Sequence, residues 1–354
     1  MTASGTSNET YRYRLELTDS AGNVLTQREL VEADFDRAAS AAHWKALRSG
    51  VLSHYDPAVE QARIVPQWAT VGGEPSRAEG FRVVIPTPGG EPFGCDFSLR
   101  YFAPDAARMR AQFAPPKTDG VDGALFYTLQ AFFDDHQRAA DPAAIELGPM
   151  TTTVPLLSRS LVDLGPLNAW DDPSPSSMPI VVARSVVEDA CHEARRNPDR
   201  EIGGLLLGHV CRDPWDGTVF AQISCLVSAE GTTESTATTI TFTPDSFERA
   251  RRMIVLRASG SLTPEMLIGW HHTHPFKLCQ ECPLPTPREC IDKIFFFSSD
   301  DVQVMSTTFY QPFMVGLLSG VDPRLQRALG HPPVRCFHWM DGEIVLGGFS
   351  VFED

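Results

Sequence analysis

Two histidines separated by one residue, His272 and His274, stand at the end of an apolar run and are followed by Pro275. Side chains two positions apart in an extended strand point to the same side, so both imidazoles can converge on one ion. Farther along the chain, Asp301 offers a carboxylate near the start of a predicted helix. Three ligands of these kinds are typical of catalytic zinc, which keeps a fourth position open for water. We therefore predict that His272, His274 and Asp301 bind zinc.

Two further side chains have the chemistry to complete a hydrolytic site. Glu201 precedes a glycine-rich apolar segment and can act as a base toward a water molecule whose pKa the metal lowers to about 7. Ser298, three residues before Asp301, can donate a hydrogen bond to the oxygen that becomes negative during amide hydrolysis. The same Ser-x-x-Asp pattern is also typical of a helix N-cap with an acidic third residue. Both interpretations of this pattern stay open at the level of sequence.

The segments around these residues read as alternating strands and helices. Residues 266–270 predict a buried strand that delivers the two histidines, and Pro275 ends its pairing. Helices are predicted over residues 185–198 and from Thr243, with Pro244 in the first helical position. Further strands are predicted over residues 180–182, 203–210, 220–227, 239–242, 312–318, 334–339 and 343–352. This alternation predicts an α/β fold class, with a sheet flanked by helices in the C-terminal half.

The N-terminal half predicts a smaller α+β domain over residues 8–140, to which we assign a partner-binding role. Its pattern contains two hairpins, two helices and an apolar segment that is ambiguous between strand and helix: residues 11–17 with 24–30, 81–86 with 93–102, 34–47, 104–112, and 120–134. A Pro/Ser/Asp-rich stretch marks the boundary before the C-terminal domain. We predict a connector over residues 141–177 and the catalytic domain over 178–354.

The C-terminal motifs, taken in order, resemble the JAMM signature, also called MPN+, of zinc isopeptidases. The glutamate of that family lies in a segment ending Gly-x-Leu-x-Gly, which residues 201–208 match. Its His-x-His-Pro corresponds to His272, His274 and Pro275, and its Ser-x-x-Asp to Ser298 and Asp301. The resemblance covers roughly residues 178–354. It implies a JAMM-type sheet with flanking helices, a catalytic zinc, Glu201 as acid/base and Ser298 as oxyanion donor.

The resemblance also implies a function. Similar proteins hydrolyse the amide bond after the C-terminal tail of a ubiquitin-like protein, either to release a conjugate or to process a precursor. Bacterial proteins of this kind often belong to ubiquitination-like systems, so the expected partners are a ubiquitin-like protein or its conjugates and E1-like and E2-like proteins. Two alternatives remain open: a peptidase that processes a sulfur-carrier protein, and a non-catalytic MPN-type scaffold.

The chain departs from the family pattern between the two halves of the motif. Ser298 follows His274 by 24 residues, a longer spacing than the family uses, and the insertion at residues 276–297 contains Cys279, Cys282 and Cys290. A Cys-x2-Cys pair with a third thiol predicts a second, structural zinc, because a short loop with little core gains from a metal. Candidates for a fourth ligand are Cys336, His331, His338 and His271. The alternative is three free thiols.

The composition of the chain restricts the class of protein to which it can belong. The chain has 354 residues, 42% of them hydrophobic, and a net charge of −15, which argues against binding to a phosphate backbone and hence against nucleic acid. No apolar run approaches about 18 residues, and the N-terminus lacks the apolar region of a signal peptide. Eight cysteines in a chain this long do not indicate a disulfide framework. We expect a cytoplasmic protein, of bacterial origin, with no membrane partner.

Overall fold

The computed structural model describes residues 11–20, 22–55, 62–68, 77–113, 125–133, 154–171, 177–231, 233–235, 240–258, 263–281 and 286–354. The chain forms two compact units. The first comprises Met1–Thr153 with Asp341–Glu343, and the second comprises Val154–Met340 with Ile344–Asp354. Both units combine helices and strands, so the predicted mixed α/β class is confirmed at that level.

The first unit contains one antiparallel sheet, which has six strands within the described residues. The strands are β1 (Tyr11–Thr18), β2 (Val24–Leu30), β3 (Arg63–Trp68), β4 (Arg77–Ile85), β5 (Phe93–Ser98) and β6 (Phe126–Phe133). They are joined in the order β2-β1-β6-β4-β3, and β5 also pairs with β4. The helices are α1 (Asp36–Arg48) and α2 (Ala103–Phe113). Both predicted hairpins are present, as the antiparallel pairs β1–β2 and β4–β5. The predicted strand over residues 93–102 is too long, because β5 ends at Ser98 and Leu99–Phe102 form a 3-10 helix. The ambiguous segment contributes strand β6.

The core of the first unit follows from the alternation of side chains in β1. Tyr13, Leu15 and Leu17 are buried, whereas the residues between them are more exposed. Five aromatic side chains lie in the same buried cluster and pack on one another, with ring centroids 4.8–5.9 Å apart: Phe35, Phe81, Phe97, Tyr101 and Phe102. These large apolar side chains provide the unit with a core of its own.

The second unit begins with two short strands, β7 (Leu156–Ser158) and β8 (Asn168–Trp170). Both lie within the segment predicted as a connector, yet β7 pairs with β10 and β8 pairs with β18 of the main sheet. The remaining strands are β9 (Ile180–Ala183), β10 (Gly203–Arg212), β11 (Val219–Ser228), β12 (Thr233–Ser235), β13 (Ile240–Phe242), β14 (Met266–His274), β15 (Val315–Gly320), β16 (Val334–Met340), β17 (Glu343–Gly347) and β18 (Phe349–Phe352). Residues 154–171 therefore belong to the second unit rather than to a connector, and two short segments of them pair with its sheet.

The main sheet of the second unit is mixed. Its strand order is β17-β16-β15-β14-β10-β11-β9-β18-β8, with β7 beside the end of β10. Strand β14, which carries the two candidate histidine ligands, lies between β10 (antiparallel) and β15 (parallel). A central strand with partners on both sides is a rigid place for such ligands, since every shift would break hydrogen bonds on two sides.

Five helices of the described residues belong to the second unit. They are α3 (Arg184–Arg196), α4 (Pro244–Arg257), α5 (Arg288–Asp292), α6 (Ser299–Thr307) and α7 (Arg324–Leu329). Helix α3 packs across β9, β11, β14 and β15, and α4 packs on β10 and β11. Pro244 occupies the start of α4, as predicted. Within the described part of the chain, no helix is both long and apolar enough to cross a membrane.

Candidate metal centre

Strand β14 delivers His272 and His274 as a buried pair. Both side chains are at most 1% exposed, and their ring centroids lie 5.1 Å apart. The residue between them, Thr273, and the preceding His271 are also fully buried, because the strand is covered on both faces. The ring of His272 stacks on Trp270, two positions earlier, at 4.4 Å and 6°. The two-residue period that suggested a shared ion therefore places both imidazoles on one side of the sheet.

Helix α6 supplies the carboxylate. Ser298 is its N-cap: the serine hydroxyl accepts a hydrogen bond from the amide of Asp301 at 3.2 Å, and Asp301 Oδ2 accepts one from the amide of Ser298 at 2.8 Å. This reciprocal capping box leaves the other oxygen, Oδ1, directed toward His272, 3.2 Å from Nε2. The capping interpretation and the ligand interpretation of Ser-x-x-Asp are thus compatible in the same two residues.

The three side chains have the spacing of a metal site. His272, His274 and Asp301 each offer a ligand atom, and these atoms lie within 4.8 Å of one another. His274 Nε2 lies 3.6 Å from Asp301 Oδ2. Ligand atoms about 2.0–2.1 Å from a tetrahedral zinc ion are about 3.3–3.4 Å apart, close to these separations. Such a group, together with its burial, could hold a metal ion.

An orphaned polar side chain supports the same assignment. Neither ring nitrogen of His272 has a hydrogen-bond partner, although both are buried, and the 3.2 Å approach of Asp301 lacks hydrogen-bond geometry. Buried polar groups are normally satisfied, and an unsatisfied one costs about 1–3 kcal/mol. A cation between Nε2 and the carboxylate would satisfy that nitrogen. The residues present therefore fit a metal ion, by an observation that does not depend on the sequence motif.

Glu201 lies beside this group without joining it. Its side chain is 3% exposed, and Oε1 is 3.8 Å from His274 Nε2. The antiparallel register, in which Gly203 faces His272, places Glu201 opposite His274. This separation is longer than a hydrogen bond, so the Glu201 carboxylate contacts the candidate ligands without bonding to them. Glu201 thus lies buried beside the three candidate ligands.

Gly203 explains why glycine follows the Glu201 segment. A Cβ atom at Gly203 would lie 2.5 Å from the carbonyl oxygen of His271 and 2.7 Å from Ile240 Cδ1. Strands β10 and β14 can approach at this point only because that side chain is missing.

The ionisation states suit metal binding. Burial lowers the pKa of His272, so its imidazole is neutral, as a metal ligand must be. Burial by itself raises the pKa of Asp301, but the two imidazoles and the Ser298 amide outweigh burial and hold that pKa below its ordinary value. Burial raises the pKa of Glu201 to about 7, and the neighbouring carboxylates of Asp301 and Asp300 add to the rise. A carboxylate with this pKa can both accept and return a proton near neutral pH.

The long insertion contributes directly to the centre. The carbonyl oxygen of Ile294 lies 2.8 Å from His274 Nδ1, which therefore donates and leaves Nε2 to face Asp301. A metal-bound histidine usually donates its second nitrogen in this way, because the bond fixes the tautomer and the ring orientation. The insertion also brings Phe276 and Phe296 against the His274 ring, at 5.1 and 5.2 Å.

The insertion has a larger apolar core than we expected from its length. Four of its side chains are buried with three residues from outside it: Leu278, Ile291, Ile294 and Phe295 with Leu318, Leu325 and Phe337. Asp322 also accepts the amide hydrogen of Leu278 at 2.9 Å, and Arg324 donates to the carbonyl of Cys279 at 3.1 Å. The ends of the insertion are therefore held without a metal.

The cysteine site stays a prediction. Cys279 is exposed and Cys290 is half-buried, while Cys282 lies outside the described residues. The candidates for a fourth ligand have other neighbours. His271 Nε2 lies 2.9 Å from Ser319 Oγ, and His331 stacks on Trp170 at 4.8 Å. Cys336 and His338 are buried in β16 and lie near main-chain carbonyls of that strand. The two ring nitrogens of His271 lie near Ser319 Oγ and Glu193 Oε2.

Three groups near the candidate metal centre were not predicted from the sequence. The first is the Ile294 carbonyl, a main-chain group that every residue type carries. Trp270 had a detectable signal, since it stands two positions before His272 and so shares its face. The hydroxyl of Thr273, between the two ligands, was the third.

Comparisons with known proteins give no family. No family model matches the chain, and no curated protein matches it. A protein from Desulfitobacterium hafniense whose solution structure has been determined is similar over 49% of this chain and 94% of its own, with 15% identity and a TM-score of 0.27. A similarity of that size carries no argument about fold or function.

Proposed function

We propose that the second unit is a zinc-dependent isopeptidase or peptidase of the JAMM type. Its substrate would be the amide bond after the C-terminal tail of a ubiquitin-like protein, in a conjugate or a precursor, within a bacterial ubiquitination-like system. The observation that carries the proposal is the buried group of His272, His274 and Asp301 with Glu201 3.8 Å from His274. A buried carboxylate whose pKa is about 7, next to three candidate ligands, has the chemistry of the acid/base in metal-assisted hydrolysis.

His272, His274 and Asp301 would hold the zinc ion. The lowered pKa of His272 keeps that imidazole neutral and the lowered pKa of Asp301 keeps that carboxylate ionised, and both states fit the role. When bound, zinc supplies Lewis acidity, which polarises a carbonyl group and acidifies water. The chain's own contribution is the orientation of these ligands. The Ser298 amide holds Asp301 Oδ2, and the Ile294 carbonyl holds His274 Nδ1.

Glu201 would carry the proton. Its carboxylate accepts a proton from the attacking water and returns it to the leaving amine, a task suited to its pKa of about 7. Ser298 is half-buried at the N-terminus of α6, and its hydroxyl oxygen already accepts the Asp301 amide hydrogen. The hydroxyl hydrogen can therefore donate to the substrate oxygen as it becomes negative.

The test is cleavage of two substrates by the full chain loaded with zinc. One substrate is a linear fusion in which a ubiquitin-like protein ending in Gly-Gly precedes a reporter, and the other is the same protein attached to a lysine side chain. We expect cleavage after the last glycine that a chelator abolishes and added zinc restores. Glu201→Gln should lower the rate about 10²–10⁴-fold while zinc stays bound. Glu188→Gln, on the exposed surface of α3, is the matched control.

Other outcomes have distinct meanings. If Glu201→Gln cleaves as fast as the wild type, the proposed mechanism is wrong. Cleavage of the linear fusion alone would favour a peptidase for a carrier-protein precursor over an isopeptidase. Zinc binding together with substrate binding, but without cleavage, would favour a scaffold.

A further inference from the structure

Thr273, between the two histidine ligands, makes an unusual contact with the residue that follows Glu201. Its hydroxyl oxygen accepts a hydrogen bond from the amide of Ile202 at 3.1 Å. The amide of Thr273 in turn donates to the carbonyl of Ile202 at 2.9 Å. Both residues are buried: Thr273 is fully buried, and Ile202 is 4% exposed. The two residues therefore form a closed pair of bonds in which one partner is a side chain.

This contact lies where the strand ladder ends. Antiparallel neighbours that face each other in this way normally exchange two main-chain bonds. At Ile202 the acceptor is the threonine hydroxyl, and strand β10 begins only at the next residue, Gly203. The chain therefore leaves the regular ladder at the point where the Glu201 side chain must turn toward His274.

The other side of Glu201 is held by exposed contacts. Arg200 donates to Asn197 at 3.2–3.3 Å, and both residues lie in the turn after α3. Surface contacts of this kind constrain a side chain weakly. The buried contact with Thr273 is thus the firm anchor adjacent to Glu201. Threonine suits this task, because its branched Cβ restricts χ1 and so fixes the direction of the hydroxyl.

We propose that Thr273 is a positioning residue, which sets the location of the Glu201 carboxylate relative to the metal ligands through the amide of Ile202. One strand segment then orients both parts of the site: His272 and His274 point to the metal on one side, and Thr273 fixes the base. The catalytic consequence rests on the proposed function, whereas the structural consequence does not.

The test compares three variants of the full chain. Thr273→Val keeps the shape but removes the acceptor, Thr273→Ser keeps the hydroxyl, and Thr273→Ala replaces the valine variant if that variant does not fold. With zinc bound, Thr273→Val should lower kcat on the Gly-Gly fusion by about 10–100-fold, because a displacement near 1 Å can cost about 10²-fold. KM and zinc affinity should remain at wild-type values, and Thr273→Ser should restore most of kcat.

A crystal structure of each variant supplies the readout that needs no substrate. The distance from Glu201 Oε1 to His274 Nε2, 3.8 Å in the wild type, should increase in Thr273→Val and be retained in Thr273→Ser. An unchanged distance in Thr273→Val overturns the inference, and so does a loss of kcat that follows a parallel loss of zinc affinity. If the wild type cleaves neither substrate, the proposed function fails, and the crystal distances alone decide the role of Thr273.

Discussion

The two carboxylate oxygens of Asp301 are divided between Ser298 and His272. Oδ2 accepts the amide hydrogen of Ser298 at 2.8 Å, and Oδ1 lies 3.2 Å from Nε2 of His272. The helix cap thereby aims the carboxylate at the imidazole. Asp301 therefore caps the first turn of α6 with one carboxylate oxygen and can bind a metal ion with the other.

Asp301→Asn separates these two roles. The amide oxygen of asparagine can still accept the Ser298 amide hydrogen, so the metal-free protein should lose no more than about 1–2 kcal/mol in free energy of unfolding. Zinc affinity should fall by more than about 100-fold, since the loss of an outer-shell partner alone costs about 10–100-fold. Zinc affinity is measured by competition with a chelating dye, and the free energy of unfolding is measured by denaturation of the metal-free protein.

Asp300→Asn is the matched control for that experiment, because Asp300 is the exposed neighbour of Asp301. Its zinc affinity should stay near that of the wild type. Equal losses in the two variants would point to a general effect of negative charge and would contradict a ligand role for Asp301.

The apolar core of the insertion should support the metal centre. Ile291, 5% exposed, packs in the cluster that also contains Ile294, whose carbonyl holds His274. Ile291→Ala should lower the free energy of unfolding by about 2–5 kcal/mol and zinc affinity by about 10–100-fold. Val255→Ala, at a position 65% exposed on α4, should change neither. If Ile291→Ala is less stable than the wild type but binds zinc equally tightly, the apolar core of the insertion does not support the metal centre.

The cysteines give a prediction about stoichiometry. If Cys279, Cys282 and Cys290 bind a structural zinc, purified protein carries about two zinc ions per chain, and the triple serine variant about one. Because the ends of the insertion are held by their own apolar core and by Asp322, the variant should remain folded and keep the catalytic zinc. A count of about one zinc ion per chain in both the wild type and the triple serine variant would contradict a zinc site at these cysteines.

Features of this structure that follow from local side-chain patterns could be predicted from the sequence. The spacing of His272 and His274 on an apolar strand predicted their shared face, and the Ser-x-x-Asp pattern predicted a helix start. Both are local patterns with a known period, and the structure places these residues as expected. Most strands and helices were also predictable within a few residues of their ends, because their apolar residues either repeat with a regular period, as in β1, or form a short continuous run, as in β10 and β14.

Other features could not be predicted. The Ile294 carbonyl and the Ile202 amide are main-chain groups that every sequence contains, and only the fold decides which side chain they meet. Strands β7 and β8 are three residues long, too short for a periodic pattern, and pairing with the main sheet defines them. The insertion core was missed because three of its seven buried side chains come from segments outside the insertion.

Glu193 should make stability depend on pH. Burial raises its pKa from 4.5 to about 6, and its carboxylate lies 3.7 Å from His271 Nδ1. Between these two pH values the native state binds more protons at this residue than the unfolded state does. The Glu193 contribution to the free energy of unfolding therefore falls as pH rises through this window, by about 2 kcal/mol in all.

The measurement is the difference between wild type and Glu193→Gln, both metal-free, in denaturant titrations across pH 4.5–6. Burial lowers the pKa of His271 to about 3, which produces a slope of opposite sign, but that slope is present in both proteins and cancels. Relative to the wild type, the variant should gain stability as pH rises. Glu188→Gln, exposed on the same helix, should show no such change. A constant difference between wild type and Glu193→Gln would contradict the burial effect.

The location of the metal tests the central claim most directly. Crystals of the full chain grown with zinc should give an anomalous difference peak about 2.0–2.1 Å from a nitrogen of His272, a nitrogen of His274 and an oxygen of Asp301. Glu201 should lie outside the ligand sphere, and the peak should vanish in Asp301→Asn crystals. A zinc-loaded crystal with no peak among these three residues, or with Glu201 as a direct ligand, would contradict the proposed site.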